Sequence, residues 1–218
     1  QIIADGQAAA ILAEIGDPEV NMDVVKLEKA PKIAVYAPEG FQPWDDAVAL
    51  VMTYAEIPYE RIYDPQIIAG TLPQYDWLHL HHEDFTGQYG KFYRMYRSAP
   101  WYLEQVRESE AMAASLGFAK VSQMKLAVAT RIRDYVSGGG YLFTMCSGTD
   151  SYDIALAAEG VDICTPEFDH DPIDPQAQQK IDFARTFAFK DFRLVTDPMV
   201  YEFSTIDATD IHGSIGQT

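Results

Sequence analysis

Residues 138–160 (GGGYLFTMCSGTDSYDIALAAEG) constrain the fold of this chain more than any other segment. Three glycines precede a short apolar run at 141–145, and Cys146 follows that run directly. A helical pattern then covers 149–158. Glycine accepts the left-handed conformation that ends a helix, and a short apolar run is typical of a buried strand. The segment therefore predicts a strand that turns abruptly into a helix, with Cys146 at the turn.

Strands and helices alternate along most of the chain. Patterns typical of strands cover 32–37, 59–63, 76–80 and 141–145, and weaker ones cover 161–164, 187–195 and 200–203. Patterns typical of helices cover 7–15, 43–56, 99–116 and 121–136. Such alternation is typical of parallel sheets with right-handed crossover connections. We therefore predict an α/β fold, a flavodoxin-like three-layer sandwich with a mostly parallel central sheet and helices on both faces.

The 218 residues are sufficient for one large domain. We predict a core at 32–164 with an insertion at 82–120, a lead-in at 1–31 and a C-terminal extension at 165–218. The chain opens within what resembles the middle of an element and stops without a closing helix or strand, so we expect a fragment of a longer protein. The insertion is rich in aromatic residues, which are typical of core or interface packing; a lid over a substrate is the alternative.

The chain is strongly acidic, with a net charge of −17 and a pI of about 4.5. Such a chain repels phosphate backbones and anionic lipid headgroups, so we expect neither nucleic acid nor membrane surfaces as partners. No stretch approaches the roughly 20 apolar residues that span a bilayer, so we expect no membrane insertion. Two cysteines, Cys146 and Cys164, are too few for a secreted disulfide framework. We find no phosphate-binding loop of glycines followed by lysine, and we expect no cofactor.

Cys146 is the candidate nucleophile. At a strand-to-helix turn, backbone N–H groups of the coming helix point at the turn residue, and their partial positive charge favours thiolate over thiol. The same groups hold the oxyanion of a tetrahedral acyl intermediate, with the N–H of Ser147 as a donor, and Gly148 is small, as a tight turn requires. The alternative is that Cys146 is a buried structural cysteine, which is how we interpret Cys164.

Polar residues at the ends of neighbouring strands are the candidates that share a pocket with the thiol. In an open parallel sheet, ligands bind outside the carboxyl ends of the strands. In a flavodoxin-like order, the first strand brings Glu39 to this edge, the third brings His81 and His82, and the fourth brings Cys146. A histidine takes the proton of such a thiol and returns it to a leaving amine, and a carboxylate hydrogen-bonds it. A packing role for each histidine is the alternative.

Two polar runs resemble metal sites, and we predict a metal at neither. His81, His82, Glu83 and Asp84 are consecutive, and adjacent residues on a strand point in opposite directions, so we do not expect one site from them. The acidic run at 169–174 carries oxygens of the kind that hold calcium. It lacks the glycine and the distal glutamate of an EF-hand loop, which favours a solvated loop.

Three motifs resemble a known family: PWDDAV at 43–48, YDWLHLHHEDFTGQYGKF at 75–92 and MCSGTDSYDIALAAEG at 145–160. The core resembles the class I glutamine amidotransferase-like superfamily, and the motifs are similar to bacterial proteins labelled asparagine synthetase B. The resemblance implies a cysteine-dependent amidase or hydrolase that acts on a small amide such as glutamine. It also implies an exported protein, with a leader before this region and a later segment whose histidine pairs with the cysteine.

Some residues depart from what this resemblance implies. The superfamily usually has glycine two residues before the nucleophile, where this chain has Thr144, and its later His-x-Glu has no match before Thr218. A glutamine-dependent asparagine synthetase uses an N-terminal cysteine, whereas this chain begins with Gln1, so we reject ATP-driven asparagine synthesis for this segment. Three hypotheses follow: an amidase, a non-catalytic binding or assembly module with a protein partner or a second copy, and a thiol sensor in which Glu39 tunes Cys146.

Overall fold

The computed structural model of the chain describes residues 5–17, 19, 30–38 and 47–206. Contacts divide the chain into two units, Gln1–Pro31 and Lys32–Thr218. In the first unit, helix α1 spans Asp5–Ile15. The second unit contains the sheet, the main core and the candidate site.

The sheet has four parallel strands in the order β2-β1-β3-β4. Its strands are β1 (Ile33–Tyr36), β2 (Glu60–Ile62), β3 (Trp77–Leu80) and β4 (Tyr141–Thr144). Each lies within a segment for which the sequence predicts a strand. The order places the carboxyl ends of β1, β3 and β4 side by side. The predicted flavodoxin-like α/β fold is thereby confirmed.

Helices connect the strands and continue after the last one. Those described in the second unit are α2 (Ala47–Tyr54), α3 (Asp64–Ile68), α4 (Tyr93–Tyr96), α5 (Pro100–Ser115), α6 (Val121–Ser137), α7 (Ser147–Ala157), α8 (Pro166–Asp169) and α9 (Ala177–Lys180). Short 3₁₀ turns lie at Leu72–Gln74, Tyr89–Lys91 and Phe183–Arg185. Helix α6 ends at Ser137 and Gly138 caps it, where the glycine triplet predicts the end of the helix. Within the described residues, every helix is too short or too polar to cross a membrane.

Helices cover both faces of the sheet, as predicted. Alternate residues of a strand point to opposite faces. One face packs against α3, α6 and α7 through the buried side chains of Ala34, Tyr36, Leu78 and Leu80. The other face packs against α2, where Ile33 and Val35 share a buried cluster with Met52. On β4 this second face is open, since Tyr141 and Phe143 are 59% and 43% exposed.

Three predicted strands are wrong, at 161–164, 187–195 and 200–203. The Asp153 carboxylate accepts hydrogen bonds from three successive N–H groups at 187–189, with distances of 2.8, 2.7 and 2.8 Å. The Asp162 carboxylate likewise accepts the N–H of Cys164 at 3.0 Å. In this part of the described chain, one residue pair forms an isolated antiparallel bridge. Amides that donate to carboxylates are not available to pair with a neighbouring strand.

A buried ion pair fixes the carboxyl end of β1. The Lys125 ammonium of α6 lies 2.7 Å from the Asp64 carboxylate at the start of α3, and both side chains are buried. The ammonium also donates to the Tyr36 hydroxyl at 2.8 Å, and that hydroxyl donates to Asp64. Burial, together with the Asp64 carboxylate, raises the pKa of Tyr36. Because removing one partner leaves an uncompensated buried charge, the cluster holds β1, α3 and α6 in register.

The aromatic insertion packs into the body of the protein. Tyr89 and Tyr102 are buried in a cluster with Met124 of α6. The ammonium of Lys91, which is also buried, donates to two main-chain carbonyls of the segment 195–197 at 2.7 and 3.0 Å. Burial lowers the pKa of Lys91 to about 8. These contacts favour the packing interpretation of the insertion over that of a lid.

Candidate active site

Cys146 stands at the turn between β4 and α7, as the N-cap residue of the helix. Its backbone angles are φ 52° and ψ −146°, and the residue is exposed. A positive φ is uncommon for a residue other than glycine and costs on the order of 1–3 kcal/mol. A strained residue at a strand-to-helix turn is typical of a nucleophile elbow, in which the side chain is held above the edge of the sheet. The turn therefore has the geometry that the sequence predicts.

Two main-chain hydrogen bonds hold this turn. The N–H of Gly148 donates to the carbonyl of His81 at 3.0 Å, and the N–H of Thr149 donates to the carbonyl of Cys146 at 3.0 Å. A Cβ atom at position 148 would lie 2.7 Å from the His81 carbonyl oxygen, which is closer than real Cβ atoms come. The close approach of α7 to the end of β3 therefore requires the glycine that follows the elbow.

The thiol of Cys146 lies at the start of α7, where the first main-chain N–H groups of the helix are found. The earliest N–H groups of a helix have no acceptor within the helix. Those of Gly148 and Thr149 donate to nearby carbonyls, as described above. The N–H of Ser147 directly follows Cys146, so it is the candidate donor to an oxyanion that forms beside the sulfur.

His81 and His82 follow β3 at the same edge of the sheet. Their Nδ1 atoms lie 3.0 Å apart, and their rings meet edge to face with centroids 4.6 Å apart. At this contact one ring donates and the other accepts, which fixes their tautomers relative to each other. The main chain of His81 contacts α7 through Gly148, so this segment lies beside the turn at Cys146. The role of either ring as a base stays a prediction.

Glu83, considered from the sequence only as a metal ligand, adds a carboxylate to this edge. Its Oε2 accepts the N–H of His81 at 2.7 Å, and its carbonyl accepts the hydroxyl of Ser151 at 2.8 Å. The residue thus ties the end of β3 to the second turn of α7. Its position after two histidines is visible in the sequence, but these contacts depend on how the chain turns after the strand.

The structure describes one of two further polar residues near the strand ends, His79, and does not describe the other, Glu39. His79 is buried on the opposite side of β3 from Leu78, and its ring stacks on Phe143 with centroids 5.2 Å apart. It is therefore a packing residue. Glu39 lies outside the described residues, as does the predicted helix start at 43–46. The place of Glu39 in the pocket stays a prediction.

Cys164 differs from Cys146 in its burial. It is fully buried, and its thiol donates to the carbonyl of Thr86 at 3.4 Å. Burial raises the pKa of this thiol, and the Asp169 carboxylate adds to the increase. Both cysteines are free thiols. The predicted packing role of Cys164 is confirmed.

A lysine fills the cluster that most resembles a metal site. Among the described residues, potential ligand atoms of Asp162, Cys164 and Asp169 lie within 4.8 Å of one another. The Lys120 ammonium lies 2.7 and 2.9 Å from these two carboxylates and 2.6 Å from a third in the same acidic run. The Lys120 ammonium therefore offsets part of the negative charge where Asp162 meets the run at 169–174.

Comparisons with known proteins leave the site unassigned. No protein-family model matches the chain, no curated protein is significantly similar to it, and no solved structure matches it significantly. We therefore infer a function from the geometry at the carboxyl edge of the sheet.

Proposed function

We propose that the chain carries the nucleophile of a cysteine-dependent amidase or hydrolase of the class I glutamine amidotransferase-like type. The observation that supports this most is the positive φ of Cys146, an exposed cysteine that caps α7 directly after a parallel strand. Other non-glycine residues of the described chain also have a positive φ, but Cys146 combines it with a position between a strand of the sheet and a helix, which is where a nucleophile is lifted clear of the sheet. The substrate class is a small amide, as the resemblance of residues 145–160 implies.

The reaction follows from the residues around the thiol. The Cys146 thiolate attacks the amide carbonyl, and the N–H of Ser147 holds the resulting oxyanion. His81 or His82 takes the thiol proton and delivers it to the leaving amine, which departs as the acyl-enzyme forms. Water then hydrolyses the thioester, which releases the acyl group as a carboxylic acid and restores the thiol. Glu83, which accepts the N–H of His81, positions the histidine segment.

Turnover in the complete protein tests this proposal. Ammonia release from glutamine and other small primary amides is measured for the wild type, Cys146→Ala and the matched control Cys164→Ala. We expect the first substitution to abolish release and the control to retain it. Mass spectrometry is expected to show an acyl adduct on Cys146 alone. Equal rates for the wild type and Cys146→Ala would overturn the proposal.

A non-catalytic binding or assembly module is the second candidate. The observation that favours it is the open apolar surface on β4, an edge strand, where Tyr141, Phe143 and Met145 are exposed. Parallel sheets are usually covered on both faces, and exposed apolar patches beside an open edge mark interaction surfaces. Sedimentation of the wild type and Phe143→Ser tests this candidate. Self-association that the substitution abolishes would support it, and turnover that depends on Cys146 would count against it.

A further inference from the structure

A groove of about 620 Å³ lies at the amino-terminal edge of the sheet, at the opposite ends of the strands from Cys146. Small-molecule sites in proteins have volumes of this order. The residues that matter for its chemistry are Leu72, Pro73, Tyr75, Arg131, Asp134 and Tyr135. The glycine triplet at 138–140 completes the lining. The groove therefore has apolar walls, two aromatic rings and charges of both signs.

Both tyrosine rings are held in place by the protein. The ring of Tyr135 lies so close to Gly140 that a Cβ atom there would be 2.2 Å from it. The Tyr135 hydroxyl donates to the carbonyl of Tyr75 at 3.3 Å, and the Tyr75 hydroxyl donates to Glu60 at 2.6 Å. Rings that are already fixed lose little conformational entropy when a ligand packs against them. The aromatic walls are therefore preorganised.

The two charged residues at the rim of the groove, Arg131 and Asp134, differ in whether another residue of the protein binds them. Arg131 is exposed, and it forms no hydrogen bond or ion pair with any residue in the part of the chain that the structure describes. Asp134 accepts hydrogen bonds from Arg133 through one of its two oxygens. Arg131 and Asp134 are three residues apart on α6, so they lie on the same face of the helix. The guanidinium of Arg131 is therefore available to an anionic group of a ligand in the groove.

We propose that this groove binds a zwitterionic α-amino acid with an aromatic side chain. Arg131 receives its carboxylate and Asp134 its ammonium, while the side chain packs between Tyr75 and Tyr135. A simple anion would meet the carboxylates of Asp134 and Asp76 at the rim, and a simple cation would leave the guanidinium without a partner. An aromatic side chain on the ligand can pack against the fixed rings of Tyr75 and Tyr135. This site is independent of the function proposed for Cys146.

Titration calorimetry with three matched compounds tests the proposal. Tryptophan carries both charges, tryptamine lacks the carboxylate, and indole-3-propionate lacks the ammonium. We expect tryptophan to bind at least about tenfold more tightly than either analogue, because tryptamine brings no carboxylate to Arg131 and indole-3-propionate brings no ammonium to Asp134. Arg131→Gln is expected to make tryptophan bind no better than tryptamine. Asp134→Asn is expected to make it bind no better than indole-3-propionate.

The matched control is Arg107→Gln, which removes an exposed arginine of α5 that is distant in sequence from the groove and does not line it. We expect this variant to bind all three compounds as the wild type does. No heat of binding with tryptophan at about 10 mM would overturn the proposal, since that concentration exceeds the dissociation constant of even a weak specific site. Equal affinity for the three compounds, or unchanged selectivity in Arg131→Gln, would overturn it as well.

Discussion

A glycine in close contact with a neighbour shapes each edge of the sheet, but the two neighbours differ. At the carboxyl edge, a Cβ atom on Gly148 would lie 2.7 Å from the main-chain carbonyl oxygen of His81. At the amino edge, a Cβ atom on Gly140 would lie 2.2 Å from the ring of Tyr135. A carbonyl at the end of a paired strand moves only with the sheet, whereas a ring rotates about its side-chain bonds. The elbow is thus fixed by the backbone, and the groove by side-chain packing.

Because of this difference, we expect the two edges of the sheet to tolerate different substitutions. Around Cys146, the geometry depends on the residue at 148 and on hydrogen bonds between main-chain atoms, so side-chain substitutions nearby leave it intact. In the groove, one side chain forms the wall, so a change at Gly140 is relieved when that side chain is removed. The predictions below test this contrast.

Gly148→Ala has the largest expected effect. The added methyl group overlaps the His81 carbonyl and breaks the hydrogen bond between these residues, so we expect the free energy of unfolding to fall by about 3 kcal/mol. Urea denaturation measures this change. The matched control is Ser147→Ala in the same helical turn, for which we expect a change within about 0.5 kcal/mol. If Gly148→Ala lowered the free energy of unfolding by less than about 1 kcal/mol, the main chain at the end of β3 would move easily, which would contradict this account.

Gly140→Ala has a smaller expected effect, about 2 kcal/mol, because the Tyr135 ring rotates away at the cost of its packing and its hydrogen bond. A double-mutant cycle with Tyr135→Ala measures the coupling. In the Tyr135→Ala background we expect the cost of Gly140→Ala to fall below about 0.5 kcal/mol. If the cost stayed the same in both backgrounds, the contact with the ring would not be the reason for the glycine.

The dependence of stability on pH also differs between the two edges, and this is the smallest of the expected effects. Lys91, in the segment after β3, has a pKa lowered to about 8 from 10.5. Between these values the unfolded chain binds more protons, so this group raises the free energy of unfolding as pH increases. Tyr75 of the groove has a pKa raised to about 12 from 10.0 by burial and by Glu60, so its contribution is lost as pH increases through that range.

Urea denaturation of Lys91→Met and Tyr75→Phe across this pH range isolates the two contributions. Relative to the wild type, the first variant is expected to lose the increase in stability between pH 8 and 10.5. The second is expected to lose part of the decrease above pH 10. An unaltered pH profile in Lys91→Met would mean that its ammonium is not desolvated in the folded chain.

The fold was predictable from the sequence because its signals are local. The segments at 32–37, 76–80 and 141–145 alternate with helical patterns, and a parallel sheet follows from that alternation. The strands predicted after residue 160 are wrong for a physical reason. Whether an amide there pairs with a strand or with Asp153 depends on contacts between residues far apart in sequence, which a local pattern does not contain.

The candidate site was predictable in part. Cys146 was identifiable because strand, turn and helix are contiguous there. The contact of Gly148 with the His81 carbonyl and the position of Glu83 were not, because they depend on how far β3 extends beside β4. The groove was missed because the glycine triplet indicates only the end of a helix, while its packing against Tyr135 is a tertiary contact.

The most direct test of the central claim is the rate at which iodoacetamide modifies each cysteine near neutral pH, followed by mass spectrometry. Folded protein is compared with the same chain in urea. We predict that folding accelerates the modification of Cys146 by about tenfold, because the proposed function makes this exposed thiol an activated nucleophile. Folding is predicted to slow that of Cys164 by about a hundredfold, because it is buried. A rate for Cys146 that is equal or lower in the folded chain would contradict its role as an activated nucleophile.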